Sequence, residues 1–216
     1  SAKESSRLMT EKSKYQLKTN GLGVKNFKWK SSRKNVVSVS KTGLIKAKKP
    51  GCALITGTYK KMKVGMVISV TTAARINAIT LGRQIAQGTY SQSKRMQAGY
   101  YDCSSLVYRA YRDNGCNFGS ASNAPTAAAE AKYLSDRGKI YGNYTSDNIK
   151  KLKFIPGDLL FKVGANNGRY MGIYHVEMFT GFEFYGWNDK TPSYACQWAS
   201  RATGYGGSSS DIMGRP

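Results

Sequence analysis

The stretch "AGYYDCSSLVYRAYRDNG", Ala98 to Gly115, supports two readings at once. Cys103, Leu106, Val107, Ala110 and Tyr111 recur at the spacing of one helical face, with Arg109, Arg112 and Asp113 off it. Asp102 is a good N-cap and Asn114-Gly115 a good stop, so the pattern predicts a helix with Cys103 in its first turn, on the inward side. One reading of that thiol is packing, since small buried cysteines on apolar stripes are ordinary. The other is chemistry: unpaired N–H groups and the positive end of the helix dipole stabilise a thiolate, while the Asp102 carboxylate opposes it.

A nucleophilic thiol needs a base, and the chain has 1 His. His175 lies in "GIYHVEMFTG", where Tyr174, Val176 and Met178 alternate with Ile173, His175, Glu177 and Phe179. Period two predicts a strand that presents His175 and Glu177 on one face. A lone histidine is more often structural or merely exposed.

Upstream, "TTAARINAITLGRQIAQGTYSQS" is rich in helix formers, with Ile76, Ile79 and Ala86 on one side, and predicts a helix that opens a second domain. The boundary falls near Thr71 to Ala74. Between Tyr15 and Val70 the pattern changes to short strands: Val64, Met66, Ile68 and Val70 alternate in "KVGMVISV", and Phe27 and Trp29 alternate with Lys28 and Lys30. Turns at Thr42-Gly43 and Pro50-Gly51 punctuate them. Several such strands without helical period predict a small β-sandwich.

Net charge is +22, of which residues 1–72 carry +15. That field favours polyanions or, more plainly, a solvated lysine-rich surface. No apolar run reaches the about 20 residues of a membrane span, and no nucleic-acid recognition motif is present. Cys52, Cys103, Cys116 and Cys196 have neither zinc-site spacing nor the density of a disulfide scaffold; Cys52, Cys116 and Cys196 read as structural. The loop Gly164 to Gly168 lacks the lysine and following helix of a phosphate loop, and no metal or cofactor is expected.

Two resemblances extend this reading. "FKWKSSRKNVVSVSKTGLIKAKKPGCALITGTY" resembles the bacterial immunoglobulin-like group 2 domain over about 15–71, which implies an adhesive or spacer module of exported proteins. "YYDCSSLVYRAY", "PGDLLF" and "YHVEMFTG", in that order, resemble the NlpC-type family of bacterial cell-wall cysteine peptidases from about Thr72 onward. Together they imply an all-β immunoglobulin-like domain over 1–72 and, over 73–216, a papain-like α+β domain with a helix packed on an antiparallel sheet.

The second resemblance implies Cys103 as nucleophile and His175 as base. A third polar residue on the next strand would orient the imidazole; Asn188 in "FEFYGWNDK" is the first choice, with Glu177 and Asp189 as alternatives. Tyr101, Asp102 and Ser104 occupy substrate-facing positions, though they also read as rim packing and helix capping. The implied protein is secreted and wall-associated, and cleaves the peptidoglycan stem peptide at the γ-D-glutamyl bond to the diamino acid through a thioacyl intermediate. The basic first domain would hold it near anionic wall polymers. Competing readings are a papain-like amidase or acyltransferase, and an inactive wall-binding protein. The chain departs from the family in Ser105, where glycine is usual, in having no second histidine, and in a helical insert expected around "APTAAAEAKYLSDRG".

Overall fold

Alternating apolar residues in the first part of the chain form seven strands: β1 Ser6–Thr10, β2 Lys14–Gln16, β3 Lys28–Ser31, β4 Val37–Val39, β5 Leu44–Ala47, β6 Gly51–Tyr59 and β7 Met62–Thr71. The computed structural model describes residues 4–200 and 207–216. The strands make a four-stranded sheet, ordered β1-β7-β6-β3, and a three-stranded sheet, ordered β2-β5-β4. Ala53, Ile55, Ile68 and Val70 from the first sheet share one core with Val37, Ile45 and Ala47 from the second, so the arrangement is a sandwich. Each large aliphatic side chain buried there contributes about 1.5–3 kcal/mol. Trp29 packs directly on Gly57, where a Cβ would lie 2.5 Å from the indole.

The chain divides into two compact units that are not contiguous in sequence. The first joins the segment ending at Ala73 to Ile149–Pro156 and Gly181–Gln197. Hydrogen bonds explain this membership. Arg33 Nη2 donates to the Lys151 carbonyl (3.1 Å), the Cys52 thiol to the Phe154 carbonyl (3.3 Å), and the Phe182 N–H to Ser69 Oγ (3.1 Å). Cys52 is fully buried, in keeping with a packed thiol.

The second unit contains Ala74–Asn148, Gly157–Thr180 and Trp198–Pro216. Helix α1 (Ala73–Ile85) follows β7, as the loss of strand alternation suggests. Two-residue strands β8 (Thr89–Tyr90) and β9 (Tyr100–Tyr101) pair in parallel and deliver the chain to α2 (Cys103–Tyr111). The expected insert forms α3 (Ala127–Ser135), capped by Thr126, and leads to β10 (Ile140–Asn143) and the short α4 (Ser146–Lys150). Strands β11 (Leu159–Lys162), the start of β12 (His175–Asn188) and β14 (Ile212–Gly214) pair in the order β10-β14-β11-β12; β12 from Gly181 onward and its other neighbour, β13 (Thr191–Trp198) as far as Gln197, belong to the first unit. Strand β11 pairs antiparallel with both β14 and β12.

The "PGDL" stretch has a structural task. Gly157 adopts φ 97°, and a Cβ there would lie 2.5 Å from the Tyr111 hydroxyl, which bonds the Gly157 carbonyl. Asp158, fully buried, accepts from Arg75 Nη1 (3.1 Å), Arg215 Nε (2.9 Å) and Nη2 (2.8 Å), and the Tyr141 hydroxyl (2.6 Å). A buried carboxylate with this many charge-assisted donors is satisfied, and it ties α1, β10 and the segment after β14 to the start of β11.

Candidate active site

Asp102 opens α2 in extended conformation (φ −124°, ψ 178°) and makes a reciprocal capping box with Ser105. Asp102 Oδ1 accepts from the Ser105 N–H (2.8 Å), and Ser105 Oγ accepts from the Asp102 N–H (2.9 Å). That second bond is what a serine supplies at the position where glycine was expected. The cap places Cys103 first in the helix, with Leu106 and Val107 behind it.

Antiparallel pairing of β11 and β12, with Lys162 opposite His175 and Leu160 opposite Glu177, fixes the start of β12. Residues i and i+2 share a strand face, so both side chains come to the same side. His175 Nε2 lies 2.8 Å from Glu177 Oε1, and Ser200 Oγ donates to Glu177 Oε2 at 2.7 Å. With Nε2 engaged, the other ring nitrogen is the one left for the Cys103 thiol, to which His175 is hydrogen-bonded. Clean alternation does not hold along this strand: Val176 to Phe182 are buried on both faces, as in a central strand.

Electrostatics follow this geometry. Burial acts to raise the Cys103 pKa, but the hydrogen bond and charge of His175, with the Val176 backbone, outweigh it and bring the thiol below its ordinary value. Burial acts to lower the His175 pKa; bonds to Cys103 and Glu177 overcome that and raise it to about 9. Each member favours the charged form of the other, and the pair titrates as a unit.

Tyr90, Tyr101, Cys103, Leu106, Val107, His175, Glu177 and Ser200 are among the residues that line an open cleft. Tyr90, which sequence patterning did not single out, is within hydrogen-bonding reach of both the Cys103 side chain and its backbone N–H. Burial, then the Cys103 charge, push its phenol up to about 12, so it stays a donor across the physiological range. Tyr101 is buried at the cleft and packs edge-on to Tyr90 with centroids 5.5 Å apart. A tyrosine in a polar loop with no periodicity offers no sequence signal for such a position.

Among the other expected site residues, Asp102 and Ser104 are 6% and 4% exposed, and both are bonded to Arg95 at 2.6 Å. Asn188, the first choice for the imidazole's partner, stands at the opposite end of the 14-residue strand that His175 begins. Asn188 and Asp189 belong to the first compact unit. Asn188 was expected on the next strand, but the strand of His175 continues through Gly181, and the partner of Nε2 is Glu177, one of the alternatives. Cys116 is buried and its pKa raised by that burial; none of the four cysteines is in a disulfide. Among the described residues no group of three or more His, Cys, Asp and Glu is arranged to hold a metal, and no helix is long and apolar enough to cross a membrane.

A half-buried thiol at a helix start, bonded to an imidazole that is bonded to a carboxylate, is the kind of arrangement that cysteine hydrolases use. Comparison with known families agrees with this class. Residues 4–70 match the bacterial Ig-like domain (group 2), and residues 87–183 match the NlpC/P60 family, in the order the sequence implied. The chain therefore carries a bacterial Ig-like domain followed by a domain of the NlpC/P60 family, a family of cysteine peptidases and amidases of the cell wall. Both domain types are typical of extracellular cell-wall proteins. No curated protein matches the chain. Among solved structures, an intimin mutant of EHEC O157:H7 aligns at 15% identity over 67% of this chain and 70% of its own, with a TM-score of 0.25.

Proposed function

We propose that the protein is a secreted cysteine endopeptidase that cleaves peptidoglycan stem peptides at the γ-D-glutamyl bond to the diamino acid. The observation that carries this reading is the hydrogen-bonded series Cys103, His175, Glu177 at the mouth of one cleft. In this mechanism the Cys103 thiolate attacks the scissile carbonyl carbon, and the His175 imidazolium gives its proton to the leaving amine. Water, deprotonated by the now neutral His175, then attacks the thioacyl carbon and releases the carboxylic acid and the thiol. Glu177 takes the orienting role first assigned to Asn188, holding the ring so that its other nitrogen meets the sulfur. The Cys103 N–H and the Tyr90 hydroxyl, already neighbours, are the donors for the developing oxyanion. The surrounding domain is read as papain-like, with α2 against a central antiparallel strand, and the basic Ig-like domain as a tether to anionic wall polymers.

The test uses defined stem peptides, one with the natural γ-D-glutamyl linkage and one with an α-linked L-glutamyl isomer, with products identified by mass spectrometry. Cleavage of the γ-linked peptide alone, after the D-glutamyl residue, is the expected outcome. Cleavage at another bond, or equal cleavage of both peptides, overturns the specificity. Equal binding to intact walls and walls stripped of teichoic acid overturns the tether.

A further inference from the structure

Asp102 is placed where it works against a nucleophile. Its carboxylate caps α2 one residue before Cys103, and a negative charge there raises the thiol pKa. Serine or asparagine would cap the helix as well without that charge. The same carboxylate is also the point of attachment for Arg95, a residue outside every motif in the sequence.

Arg95 Nε donates to Asp102 Oδ2 (2.6 Å), and Nη2 donates to Ser104 Oγ (2.6 Å) and the Pro125 carbonyl (3.0 Å). Nη1 donates to the Ala124 carbonyl (2.7 Å). The side chains of Arg95 and Asp102 are 24% and 9% exposed, so solvent screens the pair little. One fork thus joins the loop between β8 and β9, the first turn of α2 and the segment entering α3. Arg109 Nη1, from the last turn of α2, bonds the Arg95 carbonyl (3.1 Å) and fixes the same loop from the other side.

We propose that Arg95 is a positioning residue for the nucleophile: its guanidinium offsets the Asp102 charge beside Cys103 and locks the start of α2 to the segment before α3. This rests on the reading of Cys103 as the reactive thiol. The charged and titratable groups facing Cys103 are His175 from β12, Tyr90 from β8, Asp102 at its own helix start and Glu130 from α3. Glu130 is fully buried and its carboxyl oxygens have no hydrogen-bond partner among the described residues. Burial holds its carboxyl well above the usual carboxylate range, which disfavours its charged form beside the thiol. Asp102 is then the anion at the helix start that needs a counter-charge, and Arg95 supplies it at contact distance. The arrangement also turns Asp102 and Ser104 away from a substrate role: an ammonium group reaching Asp102 would have to displace the guanidinium.

The test is the pH dependence of Cys103 alkylation by iodoacetamide in the full chain, read by mass spectrometry on the peptide that contains Cys103. Arg95→Met is expected to raise the midpoint by roughly half to one pH unit, which slows alkylation about three- to tenfold below it. Asp102→Asn, which keeps a cap, is expected to lower the midpoint, and the double variant to return close to wild type. Arg95→Lys keeps the charge without the fork and is expected to stay near wild type in midpoint. A folded Arg95→Met variant with an unshifted midpoint overturns the proposal. If Arg95→Met does not fold, Asp102→Asn decides: a midpoint unchanged or raised overturns it. Alkylation does not depend on peptide hydrolysis, so a shift seen here without cleavage of the γ-linked stem peptide would sink the proposed substrate and leave the Arg95 role at the Cys103 thiol standing, whereas an active Cys103→Ala enzyme would sink both.

Discussion

Replacing Glu177 with glutamine keeps an oxygen acceptor on His175 Nε2 and removes the negative charge. The carboxylate oxygen is 2.8 Å from Nε2, and the two side chains are only 20% and 4% exposed, so screening by water is weak. An opposite charge at such range moves a pKa by about 1–3 units, and glutamine retains the neutral part of the bond, which leaves roughly one to two units as the loss. The imidazolium, raised to about 9 in the native protein, should then titrate near 7–8. The sign is fixed: losing a carboxylate disfavours the cation, so the midpoint falls and the alkaline limb of kcat/KM falls with it. Because the chain has 1 His, its imidazole gives a single Cε1–H resonance, and an NMR titration reports His175 without assignment. Cys103→Ala removes the other partner and should lower the same midpoint independently. A Glu177→Gln midpoint equal to wild type, or higher, would refute the claim that Glu177 sets the state of the imidazole.

Three further outcomes follow from other parts of the molecule. Tyr90→Phe should reduce kcat/KM by about 10²-fold while leaving the His175 titration in place, since it removes an oxyanion donor and not a member of the ion pair. Asp158→Asn leaves Arg75 and Arg215 without their buried counter-ion and should destabilise by about 3–5 kcal/mol, seen as a Tm lower by about 10 °C. Gly57→Ala places a Cβ 2.5 Å from Trp29 and should cost about 1–3 kcal/mol in denaturant unfolding followed by tryptophan fluorescence.

What could be read in the sequence was what depends on neighbours along the chain. The period of α2, its Asp102 cap and the alternation of β3 are local, and the structure shows them, whereas β7 is buried on both faces from Met66 to Thr71. His175 was singled out for another reason, scarcity, since one histidine leaves one candidate base; Cys103, one of four cysteines, was singled out by its place at the start of α2. The partner of that histidine was less accessible because it depended on where a strand ends. The family resemblance puts that partner on the next strand, which made Asn188 attractive; the backbone instead continues as one strand, and Glu177, two residues on, meets the ring. Arg95, Tyr90 and Ser200 were invisible, since their contacts with the α2 start, the Cys103 backbone and Glu177 follow no helical or strand periodicity.

The most direct test of the central claim is digestion of purified peptidoglycan by wild-type protein and by Cys103→Ala, with released peptides quantified by mass spectrometry. Peptide release by the wild type and none by a folded Cys103→Ala variant is the predicted result. Equal release by the two proteins would contradict the assignment of Cys103 as nucleophile.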